Sequence, residues 1–246
     1  MIRYKIVIEY DGSPFVGWQK QENGLSIQEA IENSIFNLFQ EQVTVFGAGR
    51  TDTGVHAMGQ VGHFDISQKE LDTQTVFNGL NHHLRPYPIS ILSVDLANEE
   101  FHARFDAKQR KYLYRIINRN SPLSIEKGRA WHVFKNLEVD QMAACIPLIE
   151  GKRDFTTFRS AHCQAESPVK TMESVKINST SEEVLLGFTA RSFLHHQVRI
   201  LVGTMIKVAE NIISKNYFID LLNNKVRNPK IFKAPSYGLY LKKVSY

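Results

Sequence analysis

The sequence predicts an α+β protein of two domains, residues 1–106 and 107–246, each a mainly antiparallel or mixed sheet with helices on one face. Three observations carry that expectation. Segments with the period of a strand and segments with the period of a helix are interspersed along the chain, and the set found before residue 106 recurs in kind after it. The 246 residues are 43% apolar and 22% charged, enough material for one large domain or two modest ones. No low-complexity linker separates the halves, so a continuous structure with a cleft is expected.

The elements follow in order. Ile6 and Ile8 alternate with Lys5, Val7 and Glu9 ahead of the turn dipeptide Asp11-Gly12, which predicts an opening strand. Ser26 and Glu29 form a capping-box pattern, and Ile27, Ile31, Ile35 and Leu38 lay an apolar stripe along the helix behind it. Strands are expected over 43–46, 60–65 and 87–96, with a helix over 73–83 between the last two. In the second half, 111–117 reads as a strand and 139–149 as a helix, while 174–178 and 183–191 read as a hairpin. Leu201, Met205, Val208 and Ile212 place one long helix over 196–214, and a strand over 239–244 closes the chain.

Composition excludes several classes. Thirty basic residues against 25 acidic ones give a formal net charge of +5. Cys145 and Cys163 are too few for a disulfide scaffold or a four-cysteine zinc site, so the cytoplasm is the expected compartment. Residues 1–10 alternate where a signal peptide would carry an unbroken apolar core, and no window approaches eighteen uninterrupted apolar residues, so no membrane span is expected.

The segment Gly47-Ala48-Gly49-Arg50-Thr51-Asp52-Thr53-Gly54-Val55-His56 concentrates chemistry. Its glycines suit tight turns or close ligand approach, and Arg50, Asp52 and His56 lie in a loop between two strand-like segments. An ordinary surface turn has the same composition. A dinucleotide fingerprint would need glycine where Asp52 stands, and a Walker loop would need Gly-Lys-Ser/Thr, so both are rejected. Asp52-Thr53-Gly54 also matches the short aspartic-protease signature. That chemistry requires a carboxyl of raised pKa sharing a proton, which Arg50 close by opposes.

Residues 101–119 hold six Lys or Arg and one acid, interleaved with Phe101, Phe105, Tyr112 and Tyr114. Cations that neutralise phosphates and rings that stack on unpaired bases make this a candidate nucleic-acid surface; an amphipathic strand with a solvated basic face is the plainer alternative. Downstream, His195 and His196 are adjacent and without metal-spaced partners, weak evidence for a metal site. Arg199 lies near a predicted helix N-terminus, where a cation is disfavoured unless it has an anionic partner.

Tyr10-Asp11-Gly12, Gly17-Trp18-Gln19, Gly49 through His56, Phe101-His102-Ala103-Arg104-Phe105, Asp154-Phe155-Thr156-Thr157-Phe158, Phe193 through Arg199 and Gly238-Leu239-Tyr240-Leu241 together resemble the tRNA pseudouridine synthase A family, in the family's order and over nearly the whole chain. The resemblance implies an isomerase that converts uridine to pseudouridine at positions 38, 39 and 40 of the tRNA anticodon stem-loop. It further implies two similar domains flanking a central basic cleft, no metal or organic cofactor, and a homodimer holding one tRNA across both subunits. Carried over by residue, Asp52 matches the essential aspartate, Arg50 the arginine that helps turn out the target nucleotide, Tyr112 the tyrosine stacked on the uracil, and Arg199 the basic partner of the carboxylate. Arg104, Lys108, Arg110 and Lys111 join Arg50 and Tyr112 as RNA-binding candidates. Two departures stand out: Thr53 where alanine is usual, and Asn81-His82-His83-Leu84-Arg85-Pro86, whose proline is displaced. A non-catalytic RNA-binding protein would account for the basic stretch but leaves Asp52 unexplained.

Overall fold

The computed structural model describes residues 1–226 and 231–246. The chain forms two compact units, residues 1–108 with 240–246, and residues 109–239.

In the first unit, strand β1 (Ile2–Tyr10) buries Tyr4, Ile6, Ile8 and Tyr10 while the side chains between them stay partly exposed, the alternation of a sheet covered on one face. Helix α1 (Ile27–Phe39) begins where the capping pattern places it, with the Ser26 hydroxyl accepting from the Glu29 amide at 3.1 Å. It buries Ile27, Ile31 and Ile35, and Phe39 takes the buried end of the stripe expected of Leu38. The short β2 (Phe46–Gly47) pairs antiparallel with β3 (His56–Ile66), and β3 pairs antiparallel with β1 from Ile2↔Ile66 onward. Helix α2 (Thr73–His83), capped by Asp72, packs on α1 and on β4 (Ile89–Ala97), which pairs with the other edge of β1.

The second unit is built on β5 (Gln109–Asn118), with the three-residue β6 (Trp131–Val133) parallel beside it. The helix expected over 139–149 is divided into α3 (Val139–Ala143) and α4 (Ile146–Ile149). Pro147 explains the break, since it lacks the amide that a continuous helix would bond to Ala143. Next come β7 (Gly151–Asp154), β8 (Val169–Ser179) and β9 (Glu183–Ala190), all antiparallel in the order β5-β9-β8-β7. Val184, Leu186, Phe188 and Ala190 of β9 form one buried face. Helix α5 (Gln197–Ala209) buries every residue except Lys207. It stops short of the expected 214, because Asn211 turns left-handed (φ 56°) and Ser214 caps a separate helix, α6 (Lys215–Asn224). Ile212, the last member of the predicted stripe, is half exposed in the connection.

The closing strand β10 (Leu239–Ser245) corrects the expected second domain of 107–246. It pairs parallel with β3 at Tyr240↔His56 and Leu241↔Ala57, so 240–246 belong to the first unit, which then has the strand order β4-β1-β3-β10. Both units are mainly antiparallel sheets with helices, as the sequence predicts.

Candidate active site

In the first unit, Asp52 sits half-buried in the loop between β2 and β3, and Arg50 beside it is exposed. The backbone turns from Asp52 to Val55, whose amide donates to the Asp52 carbonyl at 3.1 Å with Gly54 at φ +75°. The loop is held from several sides. The Trp18 amide donates to the Thr51 carbonyl at 3.0 Å, the Tyr10 hydroxyl and Thr51 Oγ1 are 2.8 Å apart and buried, and Gln60 Nε2 donates to the Gly49 carbonyl at 2.6 Å. Thr53, where alanine is usual in the family it resembles, donates from Oγ1 to the Val16 carbonyl at 2.9 Å, one more tie that alanine could not make. At the far end, His56 is buried with Nδ1 3.1 Å from Asp11 Oδ1 and accepting from the Gly12 amide, and its ring stacks on Tyr240 with centroids 4.7 Å apart. Gly17 makes the clamp possible: it adopts φ +112°, and a Cβ there would lie 2.8 Å from the Thr51 carbonyl oxygen. The motifs Tyr10-Asp11-Gly12 and Gly17-Trp18-Gln19 thus work as the frame of the aspartate loop, a role the linear sequence does not reveal.

The loop 101–108 of the same unit is equally ordered. Arg3 makes a two-pronged pair with Asp65 (2.7 and 2.6 Å) and donates to the Phe101 and Glu99 carbonyls. The Ala103 amide donates to His63 Nδ1 at 3.1 Å and the Ala103 carbonyl accepts from the Tyr246 hydroxyl at 2.7 Å. Burial, reinforced by the charge of Arg3, lowers the His63 imidazole to about 4, so it stays neutral and able to accept. Arg104 and Lys108 are exposed.

In the second unit, Tyr112 lies half-buried on β5, its ring edge-on to Phe193 with centroids 5.0 Å apart and an interplanar angle of 87°. Phe193 belongs to a tight turn in which the Leu194 amide donates to Gln197 Oε1 at 2.8 Å, and His196 heads α5 at φ 65°. Arg199, one turn into α5, is 9% exposed. Its Nε donates to the Ala234 carbonyl at 2.9 Å while its own carbonyl accepts from the Ala234 amide at 3.0 Å, which fixes the direction of the guanidinium.

The basic stretch divides its labour. Lys111 is exposed, but Arg110, expected among the phosphate-binding cations, is instead buried and donates to the Arg191 carbonyl at 2.6 Å. Arg115 pairs with Glu126 at 2.8 Å and Glu183 at 2.9 Å, and Arg119 with Glu182 at 3.1 Å. Tyr114, which the sequence offered as a stacking ring, is wholly buried and donates to the Pro235 carbonyl at 2.8 Å; burial pushes its hydroxyl far above the usual tyrosine range.

A sequence model of a tRNA pseudouridine synthase family matches residues 6–106 and 146–246. The chain is 49% identical to the tRNA pseudouridine synthase A of Ehrlichia chaffeensis and 50% identical to that of Ehrlichia canis, in both cases over 246 residues and the whole of both chains. It is 45% identical to the protein of that name from Maricaulis maris, over all of this chain and 98% of that one. With matches of this extent, the chain belongs to the tRNA pseudouridine synthase family.

Proposed function

We propose that the protein isomerises uridine to pseudouridine in the anticodon stem-loop of tRNA, at positions 38, 39 and 40, with Asp52 as the catalytic carboxylate. The observation that carries this reading is the Asp52 loop: a half-buried carboxylate on a loop whose backbone is tied to Trp18 and Gln60 and whose Thr51 and Thr53 side chains are tied to Tyr10 and Val16. Such fixing serves chemistry, where the reacting group must be placed before substrate arrives. It serves phosphate binding poorly, because a carboxylate repels the ligand.

The reaction breaks the bond from uracil N1 to ribose C1′ and forms one from C5 to C1′. N1 gains a proton, C5 loses one, and there is neither net redox change nor hydrolysis, so no organic cofactor is called for. An ionised Asp52 acts as nucleophile or stabilises charge at the reacting carbon. By the family resemblance, Arg199 is the basic partner assigned to that carboxylate. The Tyr112 ring stacks on the target base, and its hydroxyl accepts the C5 proton directly or through water. Arg50, exposed two residues before Asp52, helps turn the nucleotide out of its stem, a step costing a few kcal/mol. Arg104, Lys108 and Lys111 neutralise phosphates, while Arg110 shapes the second unit from within. The working form in this reading is a cytoplasmic homodimer; among the described residues no helix is long and apolar enough to cross a membrane.

The test is pseudouridine formation in purified tRNA. The parent converts uridines at the three positions, and tRNAs with cytidine there are not modified. Asp52→Asn keeps the shape of the side chain and binds tRNA within about twofold of the parent, but forms no pseudouridine. Turnover by Asp52→Asn would remove Asp52 from the chemistry, and a parent that binds tRNA without modifying it would leave only an RNA-binding protein.

A further inference from the structure

Four aromatic residues are interleaved with the basic stretch, and three of them are buried or partly buried. Tyr114 is core, Tyr112 packs edge-on against Phe193, and Phe101 is half-buried against Tyr246 with Lys5 Nζ 5.5 Å from its ring centre. Phe105 is different. At 69% it is the most exposed phenylalanine among the described residues.

Its exposure is not that of a loose loop. The Arg104 and Phe105 amides both point at His102 Nδ1, at 3.1 and 3.4 Å, and the Asp106 amide donates to the His102 carbonyl at 3.1 Å. The one acid of the segment stays exposed but is tied to the loop, with Asp106 Oδ2 accepting from the His102 amide at 2.7 Å. Beyond it, the Lys108 amide donates to the Ser245 carbonyl at 2.9 Å. His102 lies beside the Phe105 ring, with centroids 4.3 Å apart, and the Arg104 guanidinium is 5.8 Å from the ring centre. The result is an exposed aromatic ring on a fixed loop, with the Arg104 guanidinium near the ring, exposed Lys108 three residues further on, and the Asp106 carboxylate bonded to the His102 amide. A ring kept in water by this many bonds forgoes the stabilisation of burial, which marks it as prepared for a partner.

Resting on the reading that the substrate is tRNA, we propose that Phe105 is a stacking platform for an unpaired base of the bound RNA, with Arg104 and Lys108 on the phosphates beside that base. The charge selects this occupant. A second copy of a chain of net charge +5 brings no excess of acid to a basic patch, whereas RNA brings both the phosphates and the π-face. An unpaired nucleotide is required, because a base within a helix has both faces covered.

The experiment measures binding of fluorescently labelled tRNA and steady-state pseudouridine formation by Phe105→Ala, Phe105→Leu and Phe105→Trp, with melting temperature and sedimentation as controls. Stacking predicts that Phe105→Ala weakens binding and raises KM by about 5–150-fold at unchanged kcat and Tm, that Trp restores binding, and that Leu does not. Parent-like binding by the Ala or Leu variant, or a loss confined to kcat, overturns the proposal. So does a shift of the Ala variant to a smaller oligomer, which would make Phe105 a contact between copies. The two readings fail separately. A parent that binds tRNA through Phe105 but makes no pseudouridine defeats the activity alone, and an active enzyme indifferent to Phe105 defeats this inference alone.

Discussion

Gly17 offers a way to move the Asp52 loop without touching a reacting group. Gly17→Ala introduces two separable costs. One is backbone strain at φ +112°; the other is a Cβ 2.8 Å from the Thr51 carbonyl oxygen and 3.2 Å from the Asp52 carbonyl carbon. Gly151 is the matched control, since it also has positive φ (+81°) but nothing within 4 Å of a Cβ. Left-handed strain of about 1–2 kcal/mol, less the 0.4–1 kcal/mol or so gained by restricting the unfolded chain, leaves Gly151→Ala destabilised by about 1 kcal/mol. In a chain of this size that lowers Tm by about 2–4 °C. Gly17→Ala adds the clash, about 1–3 kcal/mol by analogy with overpacked cores, so its Tm should fall by roughly 4–16 °C. The clash is relieved only if the backbone at Thr51 and Asp52 gives by a few tenths of an ångström. Since a misplacement of about 1 Å costs about a hundredfold in rate, kcat should fall about tenfold for Gly17→Ala and stay at the parent value for Gly151→Ala. Calorimetry and single-turnover pseudouridine formation at saturating tRNA read the two effects. A Gly17→Ala enzyme with the parent's rate constant would show that the position of the loop is not what governs Asp52.

Three further outcomes follow. Tyr112→Phe keeps the ring and its contact with Phe193 but loses the hydroxyl; it should bind tRNA within about twofold of the parent and turn over poorly, accumulating a species already joined through C5, and full activity would confine Tyr112 to packing. The depressed His63 imidazole makes stability depend on pH: the unfolded chain takes up a proton near 6.5 and the folded one only near 4, so stability is intact above about 6.5 and declines as pH falls between those values. A shift of that size is worth about 3 kcal/mol in full and about 1–2 kcal/mol after solvent screening; urea unfolding at pH 7 and pH 5 should show the decline in the parent and a flatter dependence in His63→Gln, and equal slopes would clear His63 of the effect. The affinity for tRNA should fall steeply with salt, Lys108→Ala with Lys111→Ala should lower the log–log slope by about one per phosphate contact removed, and Arg115→Ala should leave that slope unchanged because its partners are Glu126 and Glu183.

The parts of this structure that were legible in the sequence are those set by neighbours three or four residues apart. The Ser26 cap, the alternation of β1 and the β8–β9 hairpin all carry their signal locally. Where two local signals merged, the reading failed: Ile212 continued the α5 stripe past the point where Ser214 begins α6. The parallel pairing of β10 with β3 was invisible for another reason, since parallel strands are joined by crossovers whose length conceals the partner. The Asp52 loop stood out by composition, but its frame did not, because ties such as Trp18 to Thr51 are backbone bonds that any residue type can make. Counting charges over 101–119 likewise could not separate the solvated Lys108 from Arg115, whose acid Glu183 is 68 residues away.

The return of β10 to the first unit also sets an order of assembly during synthesis. A ribosome releases the chain from its N-terminus, so all of residues 109–239 emerge before the strand that finishes the first sheet. Until then β3 lacks its β10 partner at His56 and Ala57, although β2 already pairs at Gly62 and His63, and His56 lacks the Tyr240 ring on which it stacks. His56 closes one end of the Asp52 loop through Asp11 and Gly12. The segment that bears Asp52 is made early and completed late, so a nascent chain already holding the whole second unit still has an unfinished aspartate loop.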